Sequence, residues 1–295
     1  MFIENDFWRM TMRTEKEILD MILTYAQEHD EIKAVGMEGS RIHPKIKKDS
    51  LQDFDITYIV TDMNTFINDE EWLDTFGKRI FIQKPEGMTL YEPQLGNWFS
   101  YLMLLEDGNR IDLKIVPVEE IDLYIYSESL IKILLDKDDL IGKMPAPTNA
   151  TYLITQPTTQ HFDDCCNEFW WISTYVAKGL CRKEFLYATD YFNQTLRTEL
   201  YRMISWNVGI ETDFSESIGK SQRFLEKHVS KETWDRIIET YKMDSYENLW
   251  KSLFLLQDLF REVSKEVAEK KGYAYPEYDE NITKHINNLQ QKYVS

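Results

Sequence analysis

The sequence predicts an α+β protein, with an N-terminal mixed sheet and its helices followed by an all-helical C-terminal domain. Three observations predict this class. The first half contains strand-sized apolar runs between helical stretches, whereas long helical periods dominate from residue 160 onward and Gly and Pro become sparse. A Pro-containing stretch, 144–157, separates the two patterns and is the natural linker. We therefore expect domains at 1–145 and 158–295.

Helical spacing of Ile18, Met21, Ile22 and Tyr25 predicts a first helix over 15–28. The apolar runs that follow predict strands over 32–39, 54–60, 79–83, 98–106 and 110–116, with a short helix over 69–76. A turn at 107–109 joins the last two strands as a hairpin, because Gly and Asn tolerate the positive φ of a tight turn. Pro117 is expected to end the last of these strands.

The second half shows helical periodicity almost throughout. Its apolar spacing predicts helices over 160–180, 182–207, 231–241, 245–271 and 282–293. No internal repeat or low-complexity segment is evident.

Composition excludes several classes of function. The net charge of −17 should repel nucleic acid, which normally requires a basic surface, although many acidic proteins are acidic only for solubility. No apolar run is long enough to span a membrane, and the N-terminus lacks the features of a signal peptide. Three cysteines, two of them adjacent, are typical of the reducing cytoplasm. We expect a cytoplasmic protein and favour a monomer.

The strongest functional signal is a pair of acids beside a Gly-Ser step. Gly39 and Ser40 end one predicted strand, and Asp53 and Asp55 open the next. Side chains alternate along a strand, so the two acids project together. Adjacent carboxylates repel unless a cation lies between them, and Mg²⁺ commonly binds one or two carboxylates together with substrate phosphates.

A third acid, Asp112, lies on the polar side of the strand 110–116. If this strand pairs beside 54–60, all three acids converge, and they could then hold Mg²⁺ and activate a hydroxyl group. In the alternative, Asp112 is an exposed residue paired with Arg110 or Lys114, and an isolated Asp-x-Asp is usually a solvated strand edge. The combination of features favours the functional interpretation.

The Gly-Ser step suits a phosphate group. Gly39 lets the backbone approach closely, and the backbone N–H groups and the Ser40 hydroxyl can donate to phosphate oxygens. Arg41 is expected to add positive charge there.

These residues resemble the fingerprint of the nucleotidyltransferase superfamily, in which an apolar strand, Gly-Ser, Asp-x-Asp and an acid on a later strand follow in that order. Segments 38–41, 47–49 and 52–55 are also similar to the bacterial aminoglycoside 6-adenylyltransferases, as are the chain length and the Trp-rich helical half. The resemblance implies that Asp53 and Asp55 hold Mg²⁺, that Asp112 is a third ligand or the base, and that Ser40 contacts ATP. It implies AMP transfer from MgATP to an aminoglycoside, streptomycin first, at the 6-position, with release of pyrophosphate.

A second candidate element is the helix 160–180. One narrow stripe of this helix carries acids, aromatic rings and a lysine at spacings of about one turn. Its members are Asp164, Glu168, Trp171, Tyr175 and Lys178. We interpret the stripe as a wall for a cationic substrate, with Lys178 reaching an ATP phosphate and Asp190 completing the wall. Asp163 replaces Asp164 if the helical phase differs by one residue, and a solvated helix face is the alternative.

Two other functions remain open from the sequence. One keeps the chemistry but changes the acceptor to another small alcohol, such as a lincosamide, or to a protein side chain. The other is an inactive nucleotide-binding partner protein, against which the three intact acids argue. The acceptor that restores turnover would separate these alternatives.

Overall fold

The computed structural model describes residues 12–294 of the chain. It divides into two compact units, with the division between Thr151 and Tyr152. Among the described residues, no helix combines the length and the apolar character needed to cross a bilayer. The α+β class is confirmed, because strands occur in the first unit and helices alone make up the regular structure of the second.

Over residues 12–151, the first unit contains six strands and three α-helices. In chain order they are α1 (Glu15–Glu28), β1 (Ile32–Glu38), β2 (Phe54–Val60), α2 (Asn64–Ile67), β3 (Arg79–Gln83), β4 (Phe99–Leu105), β5 (Arg110–Pro117), α3 (Ile121–Ile125) and β6 (Ile131–Asp136). The strands form one sheet in the order β3-β4-β5-β2-β1-β6. The sheet is mixed, since β2 and β5 run parallel and the other neighbours run antiparallel.

Each strand places alternate side chains on opposite faces of this sheet. One face is apolar: Phe54 and Ile56 of β2 and Ile111 and Leu113 of β5 pack there with α1 in a single buried cluster. The helix itself starts in a capping box at Thr14, whose hydroxyl accepts from Glu17. The opposite face carries the polar residues of the same strands at one end and a second buried apolar cluster, which includes Ile59 and Val116, at the other.

Several predicted elements differ from the observed ones in the first unit. The short helix predicted over 69–76 is a 3-10 helix over Glu71–Phe76, and α2, α3 and β6 were not predicted. After Pro117 the chain forms α3 and then returns to the sheet, where β6 pairs with β1 at the edge. The alternation of apolar and polar residues in β6 is interrupted by two adjacent leucines, Leu134 and Leu135.

The turn between β4 and β5 is stabilised by a buried carboxylate. Asp107 accepts hydrogen bonds from Arg13 Nε at 2.6 Å and from the Asn109 backbone and side chain at 3.1 and 3.0 Å. Burial opposes the negative charge, but the hydrogen bonds from Arg13 and Asn109 outweigh it and lower the pKa of Asp107 to about 2.

Replacing Asp107 with alanine is expected to lower the free energy of unfolding by about 2 kcal/mol at pH 7, since charge-assisted hydrogen bonds are lost. The folded pKa lies below the unfolded value of 3.8, so the stabilisation is complete above about pH 5 and fades as the pH falls toward 2. Urea unfolding of both proteins across this range measures the difference. Asp74→Ala, which removes an exposed ion pair with Arg79, is the matched control and should change stability by less than about 1 kcal/mol. A difference that does not depend on pH would contradict the assignment.

The second unit is helical. Its helices are α4 (Thr159–Cys181), α5 (Phe185–Tyr191), α6 (Arg197–Glu211), α7 (Lys231–Glu239), α8 (Tyr246–Lys271) and α9 (Tyr278–Val294), with a π-helical turn over Phe192–Leu196. The helix predicted over 182–207 begins only at Phe185, and it continues to Glu211 through the π turn. Lys183 has a φ of 60°, which ends α4, and the π turn lies between α5 and α6.

The core of this unit lies among α4, α6 and α8. The rings of Phe169 and Phe260 stack at 3.7 Å, and Trp170 meets Phe260 edge to face. Ser245 caps the start of α8 by accepting from Asn248, and Gly272 ends it in the left-handed conformation. The packing fixes which face of α4 is buried and which is turned outward.

Candidate functional site

The two acid-bearing strands lie side by side in the sheet. β2 and β5 pair in parallel, and their register places Asp55 directly beside Asp112. Both side chains therefore project from the same face, opposite the apolar face packed on α1. Asp53 precedes Asp55 by two residues and belongs to the same side. The strand pairing that the sequence argument required is present.

The Gly-Ser step lies against the second of these acids. Gly39 has a φ of 73°, and a Cβ atom placed on it would lie 2.2 Å from Asp55 Oδ2. Glycine is thus required both by its backbone conformation and by the contact with the carboxylate. The segment Gly39–Ile42 forms a 3-10 turn, and among residues 12–294 the Ser40 hydroxyl has no hydrogen-bond partner. The hydroxyl is available to a phosphate oxygen.

The electrostatics of the cluster disfavour its negative charge. The pKa of Asp55 is raised to about 7, first by burial and then by the charges of neighbouring carboxylates, Asp112 foremost. The pKa of Asp53 is also raised, again mainly by burial. Within the described residues, no donor hydrogen-bonds to the Asp55 carboxylate. A cation bound here would relieve this repulsion.

Arg110 is the cation that now lies among the acids. It is two residues from Asp112 on β5, and its Nε and Nη2 atoms donate to both oxygens of that carboxylate at 2.8 Å. Its Nη1 lies 3.7 Å from Asp53 Oδ2. The sequence alternative, in which Asp112 pairs with Arg110, is therefore present together with the acid cluster rather than instead of it.

Arg41, predicted to add charge for phosphates, is used differently. Its side chain is 6% exposed and its guanidinium stacks 3.6 Å above the Phe54 ring. Nε donates to the Asp53 carbonyl at 3.0 Å and Nη2 to the Gln52 carbonyl at 2.6 Å, while Nη1 pairs with Glu15 at 3.3 Å. All three nitrogens of the guanidinium therefore bond to groups of the protein. Arg41 fastens the backbone of Asp53 to the Gly-Ser turn.

A fourth carboxylate, not singled out from the sequence, lies beside Asp55 on the side away from Asp112, because the β1–β2 register pairs Glu38 with Asp55. Glu38 accepts from Lys114 Nζ at 2.7 Å and from the Thr57 hydroxyl. Lys114 also lies 5.5 Å from the centre of the Trp98 ring. The signal was available, since Glu38 immediately precedes Gly39 and Lys114 follows Asp112 by one strand period. This pair fixes the backbone that enters the Gly-Ser turn.

The donor set suits a hard divalent cation. The side chains that face one another are carboxylates, the ligands that Mg²⁺ prefers, and burial together with the neighbouring acids raises the pKa of Asp55 despite the nearby charge of Lys114. Within residues 12–294, no three His, Cys, Asp or Glu side chains are already gathered as a complete metal-binding group. Metal binding stays a prediction.

In the second unit, the predicted stripe on α4 faces outward. Trp171 is 57% exposed, and its Nε1 donates to the Tyr175 hydroxyl at 3.2 Å. Asp163, Asp164 and Glu168 are all exposed, so the choice between the first two stays open. The stripe thus presents exposed carboxylates next to an exposed indole, as a wall for a cation requires.

The neighbouring helix adds aromatic rings to this stripe. Tyr191 of α5 meets Tyr175 edge to face at 5.3 Å, and Tyr187 continues the row at 4.9 Å from Tyr191. Lys178 lies 4.4 Å from the Tyr175 ring, and Asp190 accepts a hydrogen bond from Gln194 in the π turn. The predicted roles of Lys178 and Asp190 in binding are not decided by these contacts.

Comparison with known proteins gives a consistent picture. The sequence model of the streptomycin adenylyltransferase family matches residues 12–289. Three curated relatives carry the name aminoglycoside 6-adenylyltransferase. The protein of Campylobacter jejuni is 49% identical over 96% of this chain and 98% of its own length. The protein of Bacillus subtilis is 45% identical over 94% and 98%, and that of Staphylococcus aureus is 41% identical over 94% and 99%.

Proposed function

The chain belongs to the streptomycin adenylyltransferase family, and from that premise we propose that it transfers AMP from MgATP to the 6-hydroxyl of streptomycin and releases pyrophosphate. Its curated relatives make it an aminoglycoside nucleotidyltransferase. The observation that carries the proposal is the register of Asp55 beside Asp112 on one sheet face, with Gly39 in contact with Asp55.

The nucleotide is bound through the Gly-Ser turn and the acid cluster. The backbone N–H groups of this turn and the free hydroxyl of Ser40 donate to the ATP phosphates. Asp53 and Asp55 would hold Mg²⁺, with Asp112 as a third ligand when it does not act as base. When bound, the ion supplies positive charge that offsets the charge developing on the transferred phosphoryl group.

In the transfer step, an acceptor hydroxyl oxygen attacks the α-phosphorus of ATP. A new P–O bond forms to the acceptor, and the bond between the α-phosphorus and the pyrophosphate oxygen breaks. The hydroxyl proton passes to the Asp112 carboxylate, which lies on the same face as Asp55. The products are the O-adenylylated aminoglycoside and pyrophosphate. The protein supplies positioning and electrostatics, which phosphoryl-type transfers mainly require.

The acceptor is a small polycation, and the exposed stripe on α4 has the chemistry to bind one. Carboxylates of Asp164 and Glu168 pair with ammonium or guanidinium groups, and the rings of Trp171 and Tyr175 present faces to them. Asp190 completes the wall, and Lys178 contacts a phosphate. In this proposal residues 1–145 form the catalytic domain and 158–295 the substrate-binding domain. The three free cysteines agree with work in the cytoplasm.

Incubation of the protein with MgATP and a panel of aminoglycosides tests the proposal. We expect pyrophosphate release and a mass gain of one AMP with streptomycin, with the modified position assigned by NMR. A lincosamide and a protein mixture serve as alternative acceptors. The streptomycin proposal is wrong if another aminoglycoside alone is modified, and the aminoglycoside proposal is wrong if only the alternative acceptors gain AMP.

A further inference from the structure

The feature that the proposed mechanism leaves unexplained is the position of Arg110. Its guanidinium occupies both oxygens of Asp112 and lies 3.7 Å from an oxygen of Asp53. Two of the three acids assigned to the cation and the attacking hydroxyl are thus already paired.

Arg110 and a divalent cation at Asp112 would be two positive charges on one carboxylate. Each Asp112 oxygen already accepts one donor from Arg110 at 2.8 Å, and an ion bound to the same oxygens would lie close enough to the guanidinium for the two charges to repel. The guanidinium of an arginine is not deprotonated in proteins, so its charge is permanent. The arginine therefore opposes entry of the ion.

The contact is also one that can be released. Arg110 is 44% exposed in its side chain and lies on the open sheet face rather than in the core. A planar guanidinium binds phosphate oxygens as readily as carboxylate oxygens. Nucleotide phosphates at the Gly39–Ser40 turn would offer the displaced arginine a new set of acceptors.

We propose that Arg110 is a built-in counterion that competes with the divalent cation for Asp112 and Asp53, so that the cation is taken up together with the nucleotide rather than by the free enzyme. This inference rests on the proposed function, because it assumes that the acids bind the cation. Arg110 acts through these acids and is a positioning residue in the substrate-free state.

A titration of the full chain with Mn²⁺ in the absence of nucleotide, monitored by EPR, tests the inference. Arg110→Ala is expected to bind Mn²⁺ at least about tenfold more tightly than the unaltered protein, since charge-assisted contacts no longer compete. Arg110→Lys keeps the positive charge but cannot make the two parallel hydrogen bonds of a guanidinium, so its Mn²⁺ affinity should lie between those of the other two proteins. Arg79→Ala removes an equal charge from an ion pair with Asp74 on the same unit and should bind Mn²⁺ as the unaltered protein does.

When ADP is present in the same titration, the Mn²⁺ affinities of Arg110→Ala and the unaltered protein should differ less. The reason is that the nucleotide phosphates bind Arg110 and release it from Asp112. Mn²⁺ affinity that is unchanged or weaker in Arg110→Ala overturns the inference. Asp55→Asn separates this failure from that of the proposed function: if it leaves Mn²⁺ binding unaltered with and without ADP, the acids do not bind the ion at all. Circular dichroism checks the fold of each variant, and Arg110→Gln carries the same comparison if the alanine variant is unfolded.

Discussion

Replacing Asp55 with asparagine is expected to lower the rate of AMP transfer on the order of 10²–10³-fold or more, because the amide cannot supply the negative charge that the proposed cation requires. The same change should stabilise the protein in the absence of metal. Burial and the neighbouring acids raise the pKa of Asp55 to about 7, so its ionised form is disfavoured in the fold. Activity and stability thus move in opposite directions.

The stability gain has a defined pH dependence. The folded pKa lies above the unfolded value of 3.8, so ionisation of Asp55 costs no stability below about pH 4 and costs progressively more up to about pH 7. Thermal melts of the metal-free proteins should coincide near pH 4 and differ by roughly 2–6 °C at pH 8. Asp62→Asn, outside the cluster, is the control for both measurements. Full activity of Asp55→Asn would remove this acid from the mechanism.

The substitution Gly39→Ala is expected to reduce AMP transfer by about 10²-fold, the scale expected for misplacing a reacting group by about 1 Å. The new Cβ atom would lie 2.2 Å from Asp55 Oδ2 and 3.0 Å from Asp55 Cγ, so the carboxylate or the turn must move. A φ of 73° adds backbone strain of about 1–2 kcal/mol for any residue with a side chain.

Gly96→Ala, in the same unit, separates backbone strain from the contact with Asp55 as the cause of the lost activity. Gly96 has a similar φ of 63°, but nothing lies within 4 Å of its added Cβ atom. It should therefore lose comparable stability and keep full activity, as measured by urea unfolding and pyrophosphate release. Equal activity losses in the two variants would mean that strain, not the contact with Asp55, limits transfer.

The sequence predicts the acid-bearing part of the fold closely. The predicted limits of α1, β2 and β3 match the observed ones, because alternation and helical spacing are uninterrupted there. The orientation of Phe54 and Ile56 toward the core follows from the same alternation. The parallel pairing of β2 with β5 could only be stated as a condition, since partners so distant in the chain leave no local signal.

The roles of the site cations could not be predicted. Arg41 follows the Gly-Ser step in the sequence, yet its guanidinium donates to two backbone carbonyls that lie near it only in the folded chain. Arg110 reaches Asp53 only because β5 lies beside β2. The π turn between α5 and α6 could not be predicted, because it shifts the helical phase without any Gly or Pro to mark it.

The pairing of β2 with β5 has a consequence for synthesis of the chain. Asp53 and Asp55 leave the ribosome well before Asp112, and their strand gains its parallel neighbour only after the β4–β5 hairpin has been made. Until then, the backbone edge of β2 on that side is unpaired, and edges of this kind are prone to association between molecules. A fragment that ends before residue 110 should therefore aggregate and lack the clustered acids.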